Sequence, residues 1–147
     1  MALGEAGREA ARPAVDLLRA LAETVVRFER DNFHRSVRRV RVHVVDDLLL
    51  LRLQGVLSPA EQSLAASREG QTLMRQLLMR EFDEVHELLV LRLNEVLPGR
   101  RVRGVSVDVD PAADERLIIC RLDGPMTLPG DGPAAWEQGA SDREANA

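Results

Sequence analysis

A strand that must stop and a helix that must start meet at Gly55-Val56-Leu57-Ser58-Pro59-Ala60-Glu61, and this switch constrains the chain more than any other stretch. Ser58 can accept a hydrogen bond from the first helical turn, Pro59 occupies a position that needs no N–H, and Glu61 can reach back to the Ser58 N–H. That is a capping box, and the short helix it starts is expected to run to about Ala66. Ser67, followed by Arg68, Glu69 and Gly70, offers a second cap, so a long helix is predicted from Arg68 to Leu97. Met74, Leu78, Phe82, Val85, Leu89, Leu93 and Val96 fall on one stripe of it, which a sheet must cover. Leu73, Leu77, Leu88 and Leu91 form a second band that the first helix or another subunit has to hide.

The strand before the switch has its partner immediately upstream. With Asp46 and Asp47 as a two-residue turn, Val44 faces Leu49, Val42 faces Leu51 and Val40 faces Leu53, so every pair on that face is apolar. A slip of one residue destroys the match. The opposite face collects Arg39, Arg41, His43 and Val45 against Gln54, Arg52, Leu50 and Leu48, basic at one end and apolar at the other. A second hairpin is expected after Pro98 and Gly99, with Val105, Val107 and Val109 alternating against Ser106, Asp108 and Asp110, and a return strand from Arg116 to Leu122. Before the first hairpin, Leu18, Leu21, Val25 and Phe28, widened by Ala14 and Leu17, make an amphipathic helix from Pro13 to about Arg30. Asp31 and Asn32 mark its exit.

The fold predicted is α+β: two β-hairpins forming an antiparallel sheet of about four strands, covered by the N-terminal helix and the long central helix. The hairpins can join within one subunit or across a dimer. Residues 1–123 are read as one domain. Residues 124–147, rich in glycine, proline and charge, are read as a disordered tail whose removal leaves stability unchanged, with Trp136 its one sticky residue.

Leu53, Gly55, Val56, Leu57, Ser58, Pro59, Ala60, Glu61, Leu64, Ala65 and Gly70, preceded by Asp47 and followed by Asp108, resemble the signature of the MpsC-like family. That family takes its name from a sodium-translocating, membrane-potential-generating system of bacteria, and the similarity spans roughly Leu21 to Asp123. The resemblance implies an accessory or regulatory protein of a sodium- or inorganic-carbon-handling membrane system, acting by contact with transporter subunits. Two positions depart from the pattern. A Gly- and Pro-containing turn is expected where Asn32, Phe33, His34, Arg35 and Ser36 stand, and an aromatic where Cys120 stands.

Chemistry is sparse beside this. There is no Gly-x-Ser-x-Gly, phosphate-binding loop or dinucleotide pattern, so no catalytic residue, cofactor or enzymatic activity is expected. Asp83, His86 and Glu87 share a helix face but lack further ligands, with only Glu23 and Glu29 on the first helix to help, so no metal is expected. Asp46-Asp47 and Asp108-Asp110 read as turn and strand aspartates. Cys120 reads as a small core residue, His34 and His43 as loop and surface side chains. The net charge of −4 argues against nucleic acid, and the absence of an apolar span against membrane insertion. A cytoplasmic, soluble protein is expected.

What remains is a surface. Arg39, Arg41 and Arg52 lie together on one sheet face beside Leu48 and Leu50, the mixture found at protein interfaces. Two readings follow. One is a contact-acting accessory protein. The other is a self-associating module, a dimer, whose arginine-bearing face holds a small anion. Gly55, Ser58, Pro59, Glu61 and Gly70 are read as the structural motif.

Overall fold

The alternation from Arg39 to Gln54 becomes two antiparallel strands, β1 (Arg39–Val45) and β2 (Leu48–Gln54). Val40 lies opposite Leu53, Val42 opposite Leu51 and Val44 opposite Leu49, the register predicted from the pairing of apolar residues. Asp46 turns the chain at φ 57°, a left-handed conformation that aspartate tolerates better than most residues. The computed structural model describes residues 2–128 and 134–138.

The second hairpin, β3 (Val102–Asp110) and β4 (Glu115–Leu122), joins the first through β4 and β2, with Ile118 opposite Leu51 and Cys120 opposite Leu49. Both hairpins therefore share one sheet within the chain. The sheet has five strands where four were expected, in the order β3-β4-β2-β1-β5. The fifth, β5 (Ala134–Gln138), comes from the segment read as a loose tail and pairs antiparallel with β1. Trp136 sits opposite Val42 and packs against the core, and Met126 is buried, its N–H donating to the Asp46 carbonyl at 3.0 Å. The readings made for residues 129–133 and 139–147 lie outside the described residues.

One face of the sheet is covered by two helices, α1 (Ala2–Phe33) and α3 (Arg68–Val96), which also touch each other. α1 starts earlier than predicted and runs three residues further. Pro13 lies inside it instead of at its first turn, because the alanine-, glutamate- and arginine-rich stretch before Pro13 favours helix strongly. Leu18, Leu21, Val25 and Phe28 from α1, and Met74, Leu78, Phe82, Leu89 and Leu93 from α3, close on Val40, Val42, Leu49, Leu51, Leu53 and Ile118 to form the core. Leu88 is packed at the edge of this core, whereas Leu73, Leu77 and Leu91 stay exposed.

The switch behaves as its residues require. In α2 (Pro59–Leu64), the Glu61 N–H donates to Ser58 Oγ at 3.2 Å, and Glu61 Oε1 accepts from the Ser58 N–H at 2.9 Å. The strand ends at Gly55, whose φ of 73° and close approach to Arg38, 2.5 Å from where a Cβ would stand, exclude a side chain. Asp114, in the turn between β3 and β4, fixes the exit by accepting from the N–H groups of Val56 and Leu57 at 2.9 Å each.

Removing residues 124–147 deletes Trp136 and Met126 from the core and makes β1 an exposed edge. The melting temperature should fall by roughly 5 °C, a loss of about 2 kcal/mol at this size. Calorimetry of the truncated chain checks this, and an unchanged melting temperature would show that β5 adds nothing.

Candidate functional site

The sheet face turned away from the helices has no covering element among the described residues. Its side chains form a grid that the strand registers define. Across β3, β4, β2 and β1 the first row is Asp110, Glu115, Gln54 and Arg39. The second is Asp108, Leu117, Arg52 and Arg41, with Glu137 beyond on β5. The third is Ser106, Ile119, Leu50 and His43, with Ala135 beyond, and the fourth is Gly104, Arg121, Leu48 and Val45. Leu48, Leu50, Leu117 and Ile119 are half-buried and Val45 is exposed, so the middle of an open face is aliphatic. A shallow depression of about 450 Å³ lies there, lined by His43, Leu50, Arg52, Asp108, Asp110 and Leu117 among others.

Arg39, Arg41, Arg52, Leu48 and Leu50, the contact residues expected from the sequence, all sit on this face. The arginines are not bare. Arg39 and Arg41 share one carboxylate, Glu137, at 3.1 and 3.2 Å, and Arg52 pairs with Glu115 on β4. Asp108 and Asp110, on the far strand, meet no arginine within ion-pair reach among the described residues. The face therefore carries surplus positive charge toward β1 and surplus negative charge on β3.

The motif residues Gly55, Ser58, Pro59 and Glu61 line a different feature, an open cleft of about 610 Å³ between residues 33–38 and 55–62. Its floor is Arg35, from the turn that departs from the family pattern. The buried guanidinium uses every donor it has. Nε and Nη2 donate to Glu81 at 3.0 and 2.9 Å, Nη1 and Nη2 to Glu61 at 2.5 and 2.9 Å, and Nη1 also to the Val56 carbonyl at 3.3 Å. Behind it Arg116, fully buried on β4, donates through Nη1 to both Glu29 oxygens at 2.8 and 3.1 Å and lies 5.2 Å over the Phe33 ring. Its Nη2 reaches Glu81 at 3.5 Å. The result is an alternating chain, Glu29–Arg116–Glu81–Arg35–Glu61, that ties α1, β4, α3, the turn and α2 together. An arginine whose donors are all taken is a structural pin, so Arg35 itself offers a ligand no free donor.

Charges in this chain respond to two opposed causes. Burial pushes the Glu29 carboxyl up, against the pull of Arg116 and Arg35. Hydrogen bonds from Arg35 hold Glu61 at about 2, below its ordinary 4.5. Burial opposes the charge on Arg35, yet its bonds to Glu61 and Glu81 outweigh that and raise its pKa. For a depressed carboxyl the stabilisation is present above the unfolded value and lost as pH falls through the folded one. Stability should thus decline as pH drops from about 4.5 to about 2, and Glu61→Gln should flatten this part of the profile. Urea midpoints across that range check it; identical profiles for wild type and variant would refute the pairing.

Gly70 sits elsewhere, buried where α2 meets α3. Among the described residues no group of three histidine, cysteine, aspartate or glutamate side chains is gathered for a metal. His86 stacks on Phe82, with Nδ1 3.0 Å from the Asp83 carbonyl oxygen. Cys120 is buried, and burial pushes its thiol up to about 12.

Sequence reasoning missed Arg35, Glu81 and Arg116 as a set. One signal was available: Arg116 stands in the inward phase of the strand that buries Ile118 and Cys120, so alternation alone marks it as a buried charge in need of a partner. Nothing local marks Glu29 or Glu81 as that partner.

Comparison with known proteins gives a concordant result. A Bacillus subtilis (strain 168) protein, YbcI, described as uncharacterized, is 23% identical over 105 residues, covering 69% of this chain and 82% of its own length. No solved structure matches the chain. The family model for MpsC, described as a Na+-translocating membrane potential-generating system, matches residues 15–124, the span that holds the capping-box motif and strands β1 to β4 of the open sheet face. The chain belongs to the MpsC family.

Proposed function

We propose that this protein is a non-catalytic component of a Na+-dependent membrane-potential-generating system, working by protein contact through its open sheet face. The observation that carries the reading is the family match over residues 15–124. Two features of the chain support it. No helix among the described residues is long and apolar enough to cross a membrane, so a role beside membrane subunits requires contact surfaces. The open face is an association surface, with an aliphatic centre and a charged border. Protein contact is preferred to capture of a small anion because Arg39, Arg41 and Arg52 already face carboxylates, which an anion would have to displace.

The test is physiological. A strain lacking the gene should lose part of its sodium-dependent membrane potential, read with a potential-sensitive dye, and recover it with the wild-type chain. A deletion strain with a normal potential at every sodium concentration would overturn the proposal.

A further inference from the structure

The open face carries charge of both signs, and their placement is self-complementary. A two-fold axis running along the strands, between β2 and β4, lays β3 of one copy over β1 of another and β4 over β2. Every row then meets itself reversed. Asp110 comes opposite Arg39, Asp108 opposite Arg41, Ser106 opposite His43, and Ile119 opposite Leu50, using only the registers within one chain. Each contact occurs twice, as an isologous interface demands. An axis running across the strands instead sets Asp108 against Ser106 and Arg41 against His43, leaving the opposite charges unmatched. Displacing the axis sideways onto β2 puts Arg52 over Arg52 and Asp108 over Glu137.

We infer that the open face is closed by a second copy of this chain, two sheets packing face to face with Asp108 and Asp110 of each copy against Arg41 and Arg39 of the other. The inference rests on the reading of this face as an association surface and names its occupant. Sheets packed this way lie about 10 Å apart with strands nearly aligned, a gap that aliphatic and arginine side chains span. Leu50 and Ile119 of the two copies become the apolar centre, flanked by Leu117 over the stem of Arg52 and Leu48 over the stem of Arg121. The ionic surplus on each lobe finds a counterpart in the dimer: two guanidiniums hold one carboxylate on one side, and on the other two carboxylates meet no arginine among the described residues. The pairing should weaken as salt rises, since these charges lie at the border of the contact.

Charge reversal tests the register as well as the dimer. Arg41→Glu and Asp108→Arg are each made in the full chain and measured by sedimentation equilibrium over a concentration series, with circular dichroism to verify folding. The wild type should sediment at twice the chain mass. Each variant alone should shift to the monomer, with at least a tenfold weaker association. An equimolar mixture should return to the dimer, because the reversed lobes of the two variants are complementary to each other. A monomeric wild type, a folded variant that stays dimeric, or a mixture that stays monomeric overturns the inference. If either reversal unfolds the chain, the neutral pair Arg41→Gln and Asp108→Asn takes its place; both must weaken the dimer, and undiminished association sinks the proposal. Failure here is separable from failure of the functional reading. A monomeric wild type that still restores sodium-dependent potential removes self-pairing alone, and a dimer with the stated rescue in a strain whose potential never depended on the gene removes the functional reading alone.

Discussion

Arg116→Met is expected to destabilise the domain by about 3–5 kcal/mol, more than any single surface change. Arg116 and Glu29 are both fully buried, so removing the guanidinium takes away the carboxyl's ion-pair partner and leaves only the weaker pull of Arg35. Burial already pushes that carboxyl up, and without Arg116 the push meets less resistance. The loss should therefore be milder in acid, where Glu29 can take a proton. The double variant Glu29→Met/Arg116→Met should recover most of the stability, because apolar residues of similar volume often replace a buried ion pair at little net cost. Chemical denaturation of the wild type, both single variants and the double completes the cycle. Additive losses in the double variant would show that the two residues do not act as a pair.

Gly70→Ala should destabilise by about 3 kcal/mol, at the upper end for overpacking. The sign matters more than the size, since alanine for glycine in a helix ordinarily stabilises by up to about 1 kcal/mol. Here a Cβ would stand 1.7 Å from the Leu64 carbonyl oxygen and 2.6 Å from its carbon. Both are backbone atoms at the end of α2, so no rotamer change relieves the overlap. The α2–α3 corner has to open, straining the Ser67 cap, whose Oγ accepts from the Gly70 N–H at 3.0 Å. Thermal melts measure it directly, and an alanine variant as stable as the wild type would show that the two helices do not approach this closely.

These two positions mark what the sequence disclosed and what it withheld. Gly70 belongs to a local motif, Ser67-Arg68-Glu69-Gly70, and the capping box and hairpin register are local as well. Each is decided by residues within one or two turns of each other, so spacing alone determines them. The placement of Arg39, Arg41, Arg52, Leu48 and Leu50 on one face follows from that register. The ion chain is different in kind. Glu29 and Arg116 are 87 positions apart, and Arg35 and Glu81 are 46 apart. Only the packing of α1 and α3 on each other and on the sheet brings them together. β5 was illegible for another reason: five residues with a single large apolar side chain, preceded by Gly130, Gly132 and Pro133, have the composition of a tail. Its strand character comes from pairing with β1, not from its own propensity.

The partial compensation of Arg39 and Arg41 by Glu137 follows from the same hidden strand. A face read as basic becomes a face with two opposed lobes because β3, with Asp108 and Asp110, joins the same sheet at its other edge. Two complementary lobes around an aliphatic centre imply that the outer sheet face is covered when the protein is at work. Oxidative side-chain footprinting of Leu50, Leu117 and Ile119 measures this, comparing the chain in intact cells with the isolated chain at high dilution. Strong protection of the three residues in cells, lost on dilution while the buried Leu51 and Ile118 stay protected in both, is the predicted result. Equal labelling of the outer face in both states would contradict it.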